Sequence, residues 1–363
     1  MNDPMDAIIW KPTGVSFSSG GVHTVGQLGA LSKLLDTGIL DNVRNWYGCS
    51  GGSFAALLGI IGVSPAWIRD ASQHMDTCLL GEIEEDCITN YLNCWGITSG
   101  KKLVALIGRI IDTWEPGSSA WTFADLSANR PGITLNITAT NLTRQCLTVF
   151  NAANSPDIAI LDAVRASCAV PCFYTPWTSP QGEMFCDGGI LENYPWACVD
   201  DKKKTLVIVC SDTGISKRAV KHSAVKTFPE YIGLLSKLLQ SQTPDVFPTY
   251  WIAINTTCVG SLDFHMTKEE RLAVFDEGVV AASRWLDFGL SLSLSLSLSK
   301  KKAAAGETRG NRLHFGDRRT LSAWTHDPSR RSDSHPEHSL QPPPCPSPDL
   351  CSGDRPRGRR WSL

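Results

Sequence analysis

The feature that most constrains the fold is the Gly-x-Ser-x-Gly pattern at residues 48–52, with Ser50 at its centre. This pattern requires a strand, a sharp turn and a helix, with the serine at the apex of the turn. The flanks fit, because residues 45–49 read as a short strand and the apolar run 53–62 has helical length. Gly48 and Gly52 would permit the close approach of neighbouring backbone. The pattern predicts a nucleophilic serine; the alternative is a tight turn that only buries a serine.

Strand and helix patterns alternate along the chain from residue 14 to residue 286. The predicted strands are residues 14–18, 45–49, 133–139, 146–151, 206–210 and 251–255. The predicted helices are residues 25–36, 53–62, 65–75, 101–114, 158–168, 231–239 and 268–286. Short, wholly apolar strands such as 206–210 are typical of buried parallel sheets. The alternation therefore predicts an α/β fold with three layers, α/β/α, around a mostly parallel central sheet.

The composition changes after Phe288. Residues 291–299 alternate serine and leucine, and residues 300–363 are rich in proline, serine and arginine. A segment of this kind cannot bury enough apolar surface to offset the entropy that it loses on ordering. We therefore predict one folded domain over residues 10–288 and a disordered, basic tail over residues 289–363. A polybasic arm that binds membrane surfaces is the alternative, weakened by the acidic residues mixed into it.

Charge and cysteine content exclude several classes of protein. Residues 300–363 carry 13 basic and 7 acidic side chains, whereas the rest of the chain carries 21 and 29. The folded part is thus acidic, which argues against a nucleic-acid partner. The 13 cysteines show no metal-site spacing, so we expect reduced thiols and no metal. There is neither a signal-peptide pattern nor an apolar run of transmembrane length, so we expect a cytoplasmic protein with no transmembrane segment.

A second glycine-rich turn precedes the serine by about 30 residues. Gly20 and Gly21 fall between the first predicted strand and the first predicted helix. Their backbone N–H groups could face a substrate at a helix N-terminus, where partial positive charge favours an anion. We interpret them as a candidate oxyanion hole, although paired glycines after a strand often form only a turn.

The base that would activate the serine is harder to assign. Only four histidines, His23, His74, His222 and His265, lie before residue 300, and the last two are the only downstream candidates for the base. Neither follows a strand end in the way that a Ser-Asp-His order requires. Asp187, which is followed by two glycines, is the better candidate, and an ordinary Asp-Gly turn is its alternative.

Taken together, these segments resemble the patatin-like phospholipase family. The glycine-rich loop, the serine turn and the Asp-Gly-Gly block occur in the family's order, and the resemblance covers roughly residues 12–287. The matching segments are SSGGVH at 18–23, GCSGG at 48–52, ATNL at 139–142, VRASCAVP at 164–171, DGGILENYP at 187–195 and SLDF at 261–264.

The resemblance implies a lipid acyl hydrolase with a Ser–Asp dyad and no histidine. Ser50 would be the nucleophile, Asp187 its base, and Gly20 and Gly21 the oxyanion donors. It also implies a calcium-independent reaction without a cofactor, and a lipid substrate met at a membrane or lipid-droplet surface. The alternatives are an acyltransferase and a non-catalytic module that binds lipid or protein. Two aromatic segments, 91–97 and 173–177, would line the lipid approach or pack in the core.

The glycine-rich loop departs from the family pattern at three positions. Ser19 replaces the first of three glycines, His23 replaces a lysine or arginine, and Thr24 replaces the glycine that follows. A histidine is charged only part of the time near neutral pH, so it would support an anion less well than arginine. We therefore expect reduced activity or a shift toward less anionic substrates.

Overall fold

A computed structural model of the chain describes residues 10–75, 77–211, 248, 250–256 and 258–304. Helices lie on both sides of a central, mostly parallel sheet, which confirms the predicted α/β fold class. The strands are β1 (Gly14–Phe17), β2 (Asn45–Cys49), β3 (Thr134–Asn141), β4 (Cys146–Phe150), β5 (Trp177–Thr178), β6 (Met184–Asp187), β7 (Thr205–Ser211) and β8 (Tyr250–Asn255).

The helices mostly follow the sequence pattern. The helices are α1 (Thr24–Asp36), α2 (Gly51–Ile61), α3 (Pro65–His74), α4 (Glu85–Thr89), α5 (Tyr91–Cys94), α6 (Lys101–Trp114), α7 (Phe123–Asn129), α8 (Ile160–Ser167) and α9 (Lys268–Ala304). Helix α3 begins with Pro65 after Ser64, whose hydroxyl accepts a hydrogen bond from the Trp67 amide at 3.3 Å. This capping serine and the proline explain why the start of α3 could be read from the sequence.

The sheet has the strand order β5-β6-β3-β2-β1-β7-β8, and β4 also pairs with β3. The pairs β1–β2, β1–β7, β2–β3 and β7–β8 are parallel. The pairs β3–β4, β3–β6 and β5–β6 are antiparallel. Strands β2, β1 and β7 lie at the centre of the sheet, where both faces are covered, and this explains the wholly apolar run 206–210 in β7.

The register on β3 determines where the candidate site forms. One edge of β3 pairs with β2 as far as Thr138, and β4 occupies its other edge. From Ala139 onward, strand β6 pairs with the edge of β3 that pairs with β2 up to Thr138. Ala139 itself pairs with Asp187. Ser50, the residue after β2, and Asp187, the last residue of β6, therefore meet where one pairing ends and the next begins.

The two faces of the sheet contribute to two apolar clusters. Trp46 of β2 and Leu206 and Ile208 of β7 belong to the large core, which also contains the buried apolar side chains of α1 and α2. Tyr47 and Val207, the alternate residues, pack in a smaller cluster with Trp196. This alternation is what a strand with two covered faces requires.

Several elements differ from the sequence predictions. The β5–β6 hairpin and helices α4, α5 and α7 were not predicted, and Phe185 and Cys186 in β6 are both buried, so no period-two pattern marks that strand. Helix α9 continues to Ala304 instead of ending near residue 286. The predicted helix 231–239 and residues 305–363 lie outside the described residues, and the proposed boundary between domain and tail stays a prediction.

Candidate active site

Ser50 sits at a strained turn between β2 and α2. Its backbone angles are φ 51° and ψ −129°, in a region that residues other than glycine rarely adopt. A Cβ at Gly48 would lie 2.4 Å from the Ser53 Cα, and one at Gly52 would lie 2.4 Å from the Ser18 carbonyl oxygen. Both flanking glycines are therefore required by close backbone contacts, as the pattern predicted.

Ser50 and Asp187 are in direct contact. The Ser50 hydroxyl donates a hydrogen bond of 2.6 Å to Asp187 Oδ2, although the two residues are 137 positions apart. The other carboxylate oxygen, Oδ1, accepts a hydrogen bond of 2.8 Å from the Gly189 amide. Each oxygen of the carboxylate thus has one donor, which fixes the orientation of the carboxylate toward the serine.

The surroundings of Asp187 favour proton uptake. Burial raises the pKa of Asp187 from 3.8 to about 6, while the hydrogen bonds from the Ser50 hydroxyl and the Gly189 amide oppose this rise. Burial also raises the pKa values of the neighbouring Cys168 and Cys186 thiols to about 12, so both stay neutral. A carboxylate with a pKa near 6 is ionised at neutral pH and is a stronger base than an exposed aspartate.

Ser167, at the end of α8, stabilises the serine turn through two hydrogen bonds. Its hydroxyl accepts a hydrogen bond of 2.7 Å from the Ser50 amide and donates one of 2.7 Å to the Thr138 carbonyl oxygen. The Asp187 amide donates to the Ala169 carbonyl oxygen at 2.9 Å, just beyond the same helix. The segment 167–169 therefore contacts both members of the pair. The sequence marked this segment only through its resemblance to the family.

The glycine-rich loop lies against the serine turn. A Cβ at Gly51 would lie 1.9 Å from the Thr24 hydroxyl and 3.0 Å from the Gly21 carbonyl oxygen. Among the described residues, the amides of Gly20, Gly21 and Gly51 have no hydrogen-bond acceptor. Unpaired amides beside a nucleophile are the groups from which an oxyanion hole is built. The sequence reasoning missed Gly51, although the residue after the nucleophile commonly supplies such a donor.

The three departures from the family pattern have different surroundings. Ser19 is bonded to Asn193 by its amide, at 2.7 Å, and by its hydroxyl. His23 is buried, with Nε2 2.7 Å from the Val259 carbonyl oxygen and Nδ1 3.2 Å from the Thr256 hydroxyl oxygen. Both ring nitrogens are thus engaged by the chain that follows β8. The hydroxyl of Thr24 is buried beside Gly51 without a hydrogen-bond partner among the described residues.

The histidines considered as alternative bases do not contact the serine in the described part of the chain. His265 is exposed, and its Nδ1 lies 3.5 Å from the Cys78 sulfur. His222 falls outside the described residues. In the part of the chain that the structure covers, no group of three or more His, Cys, Asp or Glu side chains is placed to hold a metal ion.

The site is enclosed by the protein. Ser50 and Asp187 are each only 4% exposed. No helix within the described residues is long and apolar enough to cross a membrane.

Comparisons with known proteins agree with the geometry. The sequence profile of the Patatin-like phospholipase family matches residues 15–198, from β1 to just past the Asp-Gly-Gly block. The chain belongs to this family. Membership supports a lipid hydrolase activity in broad terms and confirms the resemblance seen in the sequence.

The relatives are distant. An uncharacterized protein of Acanthamoeba polyphaga mimivirus is 27% identical over 282 residues, which are 73% of this chain and 90% of that protein. A probable lipid hydrolase of Invertebrate iridescent virus 6 is 25% identical over 178 residues, 49% of this chain and 60% of that protein. Among solved structures, VipD from Legionella pneumophila matches 77% of this chain and 67% of its own, with a TM-score of 0.50 and 16% identity. At this identity the structural match concerns the fold alone.

Proposed function

We propose that the protein is a serine-dependent lipid acyl hydrolase of the phospholipase A type. The observation that carries the proposal is the hydrogen bond of 2.6 Å between the Ser50 hydroxyl and the buried Asp187 carboxylate. A serine hydroxyl needs a base to become a nucleophile, and the Asp187 carboxylate accepts its hydrogen bond. The proposed reaction uses neither calcium nor a cofactor, because Ser50 supplies the nucleophile and Asp187 supplies the base.

In the proposed reaction, Asp187 removes the Ser50 proton while the oxygen attacks the ester carbonyl carbon. The amides of Gly20, Gly21 and Gly51 donate hydrogen bonds to the negatively charged oxygen that forms. Protonated Asp187 then gives its proton to the departing alcohol, which leaves an acyl group on Ser50. Asp187 next activates a water molecule that releases the fatty acid, and the site returns to its starting state.

A fluorophosphonate probe tests the nucleophile and its base. Wild-type protein should label at Ser50, and Ser50→Ala should take no label. Asp187→Asn should fold normally and lose about 10³-fold in ester hydrolysis, because the neutral amide cannot accept the proton. His265→Ala serves as the matched control and should retain wild-type turnover.

Two results would contradict this proposal. A folded wild-type protein that takes no label and releases no fatty acid would indicate a non-catalytic lipid- or protein-binding module. Loss of turnover in His222→Ala or His265→Ala, with Asp187→Asn active, would assign the base to a histidine. Adding a long-chain alcohol and analysing the products distinguishes the acyltransferase alternative, since the acyl group would then appear on the alcohol instead of as free fatty acid.

A further inference from the structure

The segment 83–95 exposes an unusual amount of apolar surface. The described residues include eight large hydrophobic side chains that are exposed, and four of them lie within these thirteen positions. They are Ile83, Ile88, Leu92 and Trp95, with Leu92 86% exposed. Single exposed apolar side chains are common on protein surfaces, but a cluster of this kind marks an interaction site. We call these four residues the apolar patch.

Exposed and less exposed side chains alternate along the segment that carries the patch. Cys87, Tyr91 and Cys94, at positions i, i+4 and i+7, form the inward stripe of α4 and α5. The stripe shifted by one residue, Ile88, Leu92 and Trp95, has the same spacing and faces outward. Asn90 separates α4 from α5, and Trp95 follows α5 with φ 57°, so it is their exposure that identifies these three side chains as outward-facing. These outward-facing side chains are therefore apolar surface that does not pack against the domain.

The patch is attached to the chain that supports the dyad. The Ile97 and Thr98 amides donate to the Phe173 carbonyl oxygen at 2.8 and 3.1 Å, and the Tyr174 hydroxyl donates to the Leu80 carbonyl oxygen at 2.6 Å. Tyr174 in turn donates its amide to Val170, the residue after the one that accepts the Asp187 amide. Hydrogen bonds therefore link the residues on both sides of the exposed segment to Phe173 and Tyr174, which follow the segment 167–169 closely in the chain.

The charges around the patch select against anionic surfaces. No lysine or arginine occurs between Arg69 and Lys101. Glu82 forms an ion pair with Lys102. The Glu84 carboxylate accepts hydrogen bonds from the Thr98 and Ser99 hydroxyls, and these lower its pKa although partial burial opposes them.

Two further carboxylates, those of Glu85 and Asp86, are exposed beside the patch. Neither forms an ion pair within the described part of the chain. A membrane with negative surface potential would repel them, because such membranes attract basic segments. An uncharged surface carries no such penalty.

We propose that the apolar patch seats the enzyme on the surface of a zwitterionic phospholipid bilayer, with Leu92 and Trp95 entering the headgroup region. This inference rests on the proposed function, since a lipid acyl hydrolase meets its water-insoluble substrate in an aggregate. Tryptophan favours the membrane–water interface, and an apolar stripe on a short helix suits binding in the plane of that interface. Four side chains are too few for a stable dimer, which uses about 20–30 residues on each side.

Sedimentation with vesicles tests the proposal without turnover. The Ser50→Ala protein should bind phosphatidylcholine vesicles, and the Leu92→Ser/Trp95→Ser double variant in that background should bind at least about tenfold more weakly. Leu142→Ser, at a leucine that is 42% exposed elsewhere on the surface, is the matched control and should bind as well as its parent. Adding 30% phosphatidylserine should weaken binding at low salt, and 0.5 M NaCl should relieve that loss.

Other outcomes would overturn the proposal. These are no binding to phosphatidylcholine, binding that requires phosphatidylserine and disappears at high salt, or equal binding by the double variant and its parent. A wild-type dimer that dissociates in the double variant would assign the patch to a second copy of the chain.

Failure of the docking surface can be told apart from failure of the enzyme. With Ser50 intact, the ratio of vesicle hydrolysis to soluble short-chain ester hydrolysis should fall about tenfold in the double variant. A protein that binds vesicles but hydrolyses neither substrate contradicts the proposed function and leaves the docking result standing. Hydrolysis of both substrates with an unchanged ratio contradicts only the docking surface.

Discussion

At the residue scale, burial raises the pKa of Asp187, and this predicts how the activity depends on pH. Its pKa of about 6 means that the ionised base is lost as the pH falls below that value. We expect kcat/KM for a soluble ester to fall about tenfold per pH unit below pH 6 and to level off above pH 7. A pH–rate profile over pH 5–9, with folding checked at each pH by circular dichroism, measures this. A profile that stays flat down to pH 5 would contradict Asp187 as the base.

The two loop glycines offer a matched test of the oxyanion loop. Gly21 has φ +54°, and a Cβ there would lie 2.0 Å from the Ser261 carbonyl oxygen. Gly20 has φ −167°, which any residue adopts, and its Cβ would lie 3.3 Å from the Cys210 sulfur.

Both alanine variants keep the backbone N–H groups, so they differ mainly in whether the loop can hold its shape. We expect Gly21→Ala to lose at least about 10²-fold in kcat. Gly20→Ala should stay within about tenfold of wild type, because only the end of one cysteine side chain has to move. Comparable losses in both variants would contradict this explanation.

At the element scale, helices α1 and α9 pack so closely that glycine is required. A Cβ at Gly278 in α9 would lie 1.9 Å from the Gly26 carbonyl oxygen in α1. We expect Gly278→Ala to lower the free energy of unfolding by at least about 2 kcal/mol, because backbone cannot yield as a side chain does.

Gly108 in α6 provides the control for that prediction. Its Cβ would lie 3.3 Å from Leu161 Cδ1, the end of a side chain. Gly108→Ala should change stability by less than about 1 kcal/mol, because alanine's higher helix propensity offsets a small adjustment. Urea denaturation of both variants measures the difference. Equal effects would mean that helix propensity, not the α1–α9 contact, decides the outcome.

Strong local signals explain which elements the sequence predicted. Strand β2 and helix α6 begin and end where their patterns predicted, since each has a clear apolar period or run. Strand β5 has two residues, and α4 and α5 have five and four, too short for any period to show. Strand β5 forms because it pairs with β6, which in turn pairs with β3, a strand distant in the chain.

At the scale of the whole molecule, the part of α9 that ends near Leu286 packs against the domain. Val274, Phe275 and Ala282 are buried in the core, and Trp285 and Leu286 pack against it. We therefore expect truncation after Phe288 to leave the melting temperature within a few degrees of the full chain. Hydrolysis of a soluble ester should also be unchanged. A large loss of either would show that residues 289–363 contribute to the folded domain.

The sequence by itself determined the α/β class, the serine turn and the identity of the aspartate that accompanies it. It could do so because glycine positions and apolar runs are local signals, and because the segments occur in a family order. Only the tertiary structure decided that Ser50 and Asp187 touch, because this depends on β2 and β6 sharing one edge of β3. It also decided that His23 faces the Val259 carbonyl and that Ile88, Leu92 and Trp95 stay exposed. Which face of a helix or strand is buried depends on residues distant in the chain, so a local sequence pattern does not reveal it.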